Sequence, residues 1–199
     1  MVTRDLTVKR VLLCLLKDFS STHTITTLAK ELGLSRVGIW KVLKKLDESK
    51  YILVKTTGVG KTSTSIITLN WDNPLAEKTL SLYLTEEALK QRRWQVNFAE
   101  LDKITDFLIL YGSVLHSPQE ANDIDILGIA KKKNFVKIQS VLDKVQKTQS
   151  KKIHLINFTE DEFKSELKKQ NKAFIDAVKK GVILFGQDNF VKFMKGMAK

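Results

Sequence analysis

Very little in this 199-residue chain could cross-link it or interrupt it: one cysteine, two prolines and nine glycines. A single cysteine cannot close an internal disulfide, which excludes a disulfide scaffold. Cys14 lies inside the apolar run Val11 to Leu16, which predicts an inert core thiol in a cytoplasmic protein. That run is the longest of its kind and far too short to span a bilayer, so no membrane partner is expected. An N-terminal apolar stretch ending in a small-residue cleavage site is also lacking, which argues against secretion. Internal repeats and low-complexity segments are missing too. Acidic residues are in deficit, 22 against 34 lysines and arginines, giving a net charge of +12. A balance that basic implies a polyanionic partner and says nothing about fold.

What the chain does have is 43% hydrophobic residues, ample for a core. Their period changes along the sequence, and this predicts two domains of α+β type. From Thr7 to Asp18 the apolar residues follow helical spacing. A second helix fits Thr26 to Leu32 and ends at Gly33, where glycine takes the left-handed conformation cheaply. Ser35 is a natural N-cap for a third helix reaching about Ser49. Tyr51–Lys55 and Ser65–Leu69 read as strands around a turn rich in glycine and hydroxyls. Asn73-Pro74 opens a helical connector over 73–104, with a break near Thr85. Its Leu75, Leu80, Leu82 and Leu84 either pair two chains as a homodimer or pack onto a domain. Beyond it the order is strand (Phe107–Tyr111), strand (Ile124–Ala130), helix (Asn134–Thr148) and strand (Ile153–Phe158). Two helices follow, near Glu160–Lys169 and Lys172–Lys179, then a short strand, Val182–Phe185, ending at Gly186.

On the third helix, Ile39, Val42, Leu43 and Leu46 fall on one side and should pack inward. Val37, Lys41 and Lys44 project from the other, flanked by Arg36 and Trp40, while Lys55 and Lys61 bracket the glycine turn. Cations there suit phosphates, and an apolar side chain suits a thymine methyl in a major groove. The same surface reads as a solvated basic face or a protein-binding one, and Trp40 as a boundary core residue. Residues 1–72 hold 12 basic and 6 acidic side chains, half of the net charge. Over residues 5–70 the order of elements, with Thr-Leu-Ala-Lys-Glu-Leu-Gly-Leu-Ser and Arg-Val-Gly-Ile-Trp-Lys-Val-Leu-Lys-Lys-Leu, resembles the winged helix-turn-helix of archaeal and bacterial regulators. Double-stranded DNA is the partner this implies for 1–72.

In the second half, Leu110-Tyr111-Gly112-Ser113 is followed after nine residues by Asp123-Ile124-Asp125-Ile126-Leu127. Alternate residues of a strand share a face, so Asp123 and Asp125 should project together, about 6–7 Å apart at the backbone. Paired carboxylates so placed can converge on one or two divalent metals, and hard oxygen ligands suit magnesium bridging phosphates. Gly112 lets the backbone approach a phosphate, and Ser113 offers a hydroxyl at an expected helix start. A plain turn and a pair of strand-capping acids would account for each half of the pattern alone.

Over residues 100–190 the combination resembles the minimal nucleotidyltransferases of the DNA polymerase β superfamily. The resemblance implies that Gly112 and Ser113 hold a triphosphate and that Asp123 and Asp125 bind magnesium. Asn122 stands where a serine usually precedes the first aspartate, and Val114 to Ser117 lack the usual arginine and second glycine. The family's third carboxylate is replaced on the next strand by His154, a base or a metal ligand, or a sign of lost activity. Glu160, Asp161 and Glu162 read as acids of a first helical turn. His116 lies in the phosphate loop, as a ligand contact or a solvated side chain. The function expected is transfer of a nucleoside monophosphate, from ATP as the expected nucleoside triphosphate, to a hydroxyl of a protein or RNA acceptor, as in toxin–antitoxin pairs. The alternative is a DNA-binding regulator whose degenerate nucleotidyltransferase fold, on 105–199, senses nucleotide or binds a partner.

Overall fold

The computed structural model of the chain describes residues 2–58 and 63–198. These divide into two compact units between Tyr83 and Leu84, inside the stretch read as a connector.

The first unit opens with α1 (Val2–Lys17), followed by α2 (Ile25–Leu32) and α3 (Arg36–Glu48). Helix α1 begins earlier than the apolar spacing predicts. Thr24 caps α2, its side chain accepting from the Thr27 amide while the Thr27 hydroxyl accepts from the Thr24 amide. Gly33 ends α2 at φ 63°, and Ser35 restarts the chain by accepting from the Gly38 amide. The Gly33–Ser35 turn thus joins two helices with backbone groups satisfied at both ends. Strands β1 (Ile52–Thr57) and β2 (Thr64–Leu69) pair antiparallel, Ile52 opposite Leu69. The Ile67 amide donates to the His23 carbonyl, tying the α1–α2 segment to β2.

Val11, Leu12, Leu16, Leu28, Ile39, Leu43, Leu46, Ile52 and Ile67 fill the core of this unit. Two expectations need correcting. Val42 is only half-buried, because the inward stripe of α3 is Ile39, Leu43 and Leu46. Cys14 is also half-buried, since the fully enclosed arc of α1 is carried by Val11, Leu12 and Leu16.

Helix α4 (Pro74–Leu89) runs across the division and continues past Thr85, breaking only at Lys90–Gln91 before α5 (Arg92–Asn97). Leu80 and Leu84 are buried, whereas Leu75, Leu82 and Leu89 are exposed. In the second unit come β3 (Phe107–Tyr111), β4 (Asp123–Ile129), α6 (Phe135–Gln146), β5 (Lys152–Phe158), α7 (Glu160–Lys168), α8 (Lys172–Lys180), β6 (Val182–Phe185) and α9 (Gln187–Met197). The apolar spacing predicts no element beyond Gly186. Helix α9 nevertheless buries Phe190, Val191, Phe193 and Met194, a helical stripe.

The four strands lie in the order β5-β4-β3-β6, with β3 antiparallel to both neighbours and β4 parallel to β5. Leu108, Leu110, Ile124 and Ile126 face one layer with Trp94, Phe98, Ile138 and Leu142. On the opposite face Phe107 meets Phe163, Phe190 and Phe193, and Phe158 meets Phe163 and Phe174. Helices α7 to α9 thereby cover one end of that face. The other end carries Tyr111, Asp125 and His154.

Candidate functional site

The period of the strands and their register bring the candidate residues onto one face of the sheet. Tyr111 pairs with Asp125 across β3 and β4, and Asp125 with His154 across β4 and β5. Residues in register share a face, so the three side chains form one row across the sheet. Asp123 stands two positions before Asp125 on the same face. His154 Nδ1 lies 3.3 Å from Asp123 Oδ2 and 3.6 Å from Asp125 Oδ1. All three residues keep partial exposure, so solvent and ligands reach them.

Burial raises the Asp125 pKa above the ordinary carboxylate value; the Asp123 charge adds to this, and His154 opposes it. Tyr111 is pushed up as well, first by burial and then by Asp125 and Asp123. A cation between the aspartates would offset the Asp123 charge that contributes, after burial, to the Asp125 shift.

Gly112 is the backbone counterpart of this pair. Its φ of 82° and ψ of −165° lie where only glycine is comfortable. A Cβ built there would stand 2.5 Å from Asp125 Oδ2. Main chain and carboxylate therefore meet with no side chain between them. Ser113 is exposed and begins a single 3-10 turn, Ser113–Leu115, where the sequence suggested a helix start. One turn aligns too few peptides to act as a helix terminus. Buried Val114 anchors that turn, and the Ser117 amide donates to the Ser113 carbonyl at 2.9 Å.

Tyr111 extends this row, and Lys151 holds the loop that leads into β4. Tyr111 was legible in principle, because it precedes Gly112 at a position in phase with Asp125. Lys151 was not. Its Nζ donates to the Gln119 carbonyl at 2.9 Å and to the Ala121 carbonyl, clamping the loop that leads into β4. His116 and Asn122 are exposed in that loop. Glu162 belongs to the α7 capping box with Thr159, as expected of a first-turn acid.

In the first unit, Arg36, Val37, Trp40, Lys41 and Lys44 are all exposed on α3, and Lys55 is exposed on β1. Lys61 lies outside the described residues. Trp40 is 51% exposed and Val37 64%, so Trp40 belongs to the open face. Lys44 Nζ sits 5.8 Å from the Trp40 ring centroid and 4.0 Å from Glu48. The face thus presents cations around a small apolar centre.

Residues 8–60 match the family model of an HTH domain, and the first unit accordingly carries a helix-turn-helix domain of the DNA-binding kind. No curated protein and no solved structure matches the chain. Among the described residues, no helix is long and apolar enough to cross a membrane.

Proposed function

We propose that the chain couples a DNA-binding helix-turn-helix to a minimal nucleotidyltransferase, which transfers a nucleoside monophosphate to a hydroxyl of a protein or RNA acceptor. The observation that carries this reading is the contact of Gly112 with Asp125. A glycine held at a conformation costly to other residues, with its open side against the Asp125 carboxylate, suits a backbone that must admit a phosphate. The donor set fits a divalent cation, since Asp123 and Asp125 offer adjacent oxygens from half-buried side chains.

In the reaction, the acceptor hydroxyl attacks the α-phosphorus, its proton passes to solvent, and the phosphorus–oxygen bond to pyrophosphate breaks. Magnesium, when bound with the triphosphate, supplies charge to the phosphate oxygens. Gly112 and Ser113 position the triphosphate chain, while Asp123 and Asp125 orient the reacting end. Lys151 keeps the intervening loop in place. Most of the acceleration would come from such positioning, which needs little from a general base.

The second reading, a regulator whose nucleotidyltransferase fold only senses nucleotide, is favoured by His154. The group facing the aspartates from β5 is an imidazole and not the carboxylate that the family resemblance implies. Pairing of two chains through α4 is compatible with either reading, and is supported by Leu75, Leu82 and Leu89 standing exposed at seven-residue spacing.

Labelled ATP with magnesium, supplied with tRNA and copurifying protein, tests the enzyme reading. Transfer that disappears in Asp123→Asn/Asp125→Asn is the expected result. Magnesium-dependent stabilisation by ATP without transfer would leave the sensor. Failure of ATP to bind at millimolar concentration would remove both.

A further inference from the structure

The nitrogen donor beside the two aspartates changes which ion the trio suits. Asp123 and Asp125 leave β4 on one face, and His154 leaves β5 on the same face opposite Asp125. His154 Nδ1 is 3.3 Å from Asp123 Oδ2 and 3.6 Å from Asp125 Oδ1. One donor atom from each residue lies within 4.8 Å of the others. Adjacent donors on an ion bonded at about 2.1 Å are about 3.0 Å apart in an octahedron and about 3.4 Å apart in a tetrahedron. The nitrogen therefore stands at coordination spacing from Asp123 and slightly beyond it from Asp125. All three residues sit on hydrogen-bonded strands, which fixes their backbone and leaves the side chains to adjust around an ion. Asp125 is also confined from the other side, where Gly112 leaves room only because it has no Cβ.

A third carboxylate would make an all-oxygen set of the kind that suits magnesium. An imidazole in its place removes a negative charge and adds a borderline nitrogen. Magnesium binds such a donor poorly, whereas the series from Mn2+ to Zn2+ accepts it together with carboxylate. We propose that Asp123, Asp125 and His154 form a three-ligand site that selects a divalent transition metal over magnesium, with His154 a ligand through Nδ1. The proposal shares the aspartates with the nucleotidyltransferase reading, but the site needs no nucleotide.

The test is titration of the metal-free, full-length protein with Mn2+ alone, free ion being followed by its electron paramagnetic resonance signal. Magnesium is then added as competitor. Mn2+ should bind, and magnesium should displace it only in about hundredfold excess or more. His154→Ala should weaken Mn2+ by about tenfold while changing magnesium much less. His154→Asp should move the preference back toward magnesium. Melting curves and duplex DNA binding report whether each variant is folded. Magnesium competing on equal terms would overturn the proposal, as would Mn2+ affinity indifferent to His154→Ala or no Mn2+ binding by folded wild type. His154-dependent Mn2+ binding without any nucleotide binding would uphold this site and remove the enzyme reading. Nucleotide transfer with no metal preference would do the reverse.

Discussion

Replacing Gly112 by alanine separates two costs that the structure superimposes. The first is backbone strain: φ 82° with ψ −165° is essentially restricted to glycine, and holding another residue there costs about 1–3 kcal/mol. The second is steric, because the new Cβ would lie 2.5 Å from Asp125 Oδ2. That oxygen ends a rotatable side chain, so the carboxylate should swing away at an off-rotamer cost of about 0.5–1.5 kcal/mol. Strain therefore dominates stability, while displacement of Asp125 dominates function. At about 3–6 °C per kcal/mol for a unit of this size, Gly112→Ala should melt about 5–25 °C lower. A double-mutant cycle with Asp125→Ala apportions the two costs. Once the carboxylate is removed, the nearest remaining Asp125 atom is Cβ at 3.5 Å, an ordinary contact. Gly112→Ala should then cost only the strain, and the difference between backgrounds measures the clash. The assay is thermal melting of all four proteins, with Mn2+ binding measured on the two that keep Asp125. Gly112→Ala that melts and binds metal like the wild type would refute the assigned backbone conformation and its contact with the carboxylate.

The remaining predictions concern both units. If Lys41 and Lys44 meet phosphates, alanine at either should weaken duplex binding and shallow the log–log salt dependence by about one unit each, measured by fluorescence anisotropy across a salt series. Val37→Ala should instead alter sequence preference more than overall affinity, and a uniform loss across sequences would count against base contact. Ser35→Ala removes the acceptor of the Gly38 amide and should cost about 1 kcal/mol in denaturant unfolding of the first unit. Glu166 accepts from Lys169 Nζ at 2.7 Å and Asn171 Nδ2 at 3.1 Å, and its pKa is lowered, chiefly by the Lys169 bond and then by Asn171. A lowered folded-state pKa gives stability that is present above the unfolded value of 4.5 and lost as pH falls through the folded one. Glu166→Gln should thus melt below the wild type near neutral pH and converge with it in acid. A gap that persists in acid would show that charge is not the cause.

Local periodicity carried much of the architecture. The stripe Ile39, Leu43 and Leu46, the Gly33–Ser35 turn, and the alternation around Asp123 and Asp125 are properties of short segments. Helix and strand repeats impose them wherever the segment folds. Helix α9 was equally local: Phe190, Val191, Phe193 and Met194 have helical spacing, but lie beyond the glycine taken as the end of the pattern.

What the tertiary structure alone decided concerns neighbours distant in sequence. The resemblance placed His154 on the strand beside the aspartates, but only the parallel register of β4 and β5 sets it opposite Asp125 and so defines the donor set. The clamp of Lys151 on the Gln119 and Ala121 carbonyls likewise joins residues whose spacing gives no sign of contact, whereas the resemblance implied Gly112 near Asp125 and the structure adds how closely they meet. Burial followed the same rule. Cys14 and Trp40 each sit among residues of suitable pattern, but enclosure depends on what packs against them. Chain periodicity determines which face a side chain takes, and only long-range packing determines what that face meets.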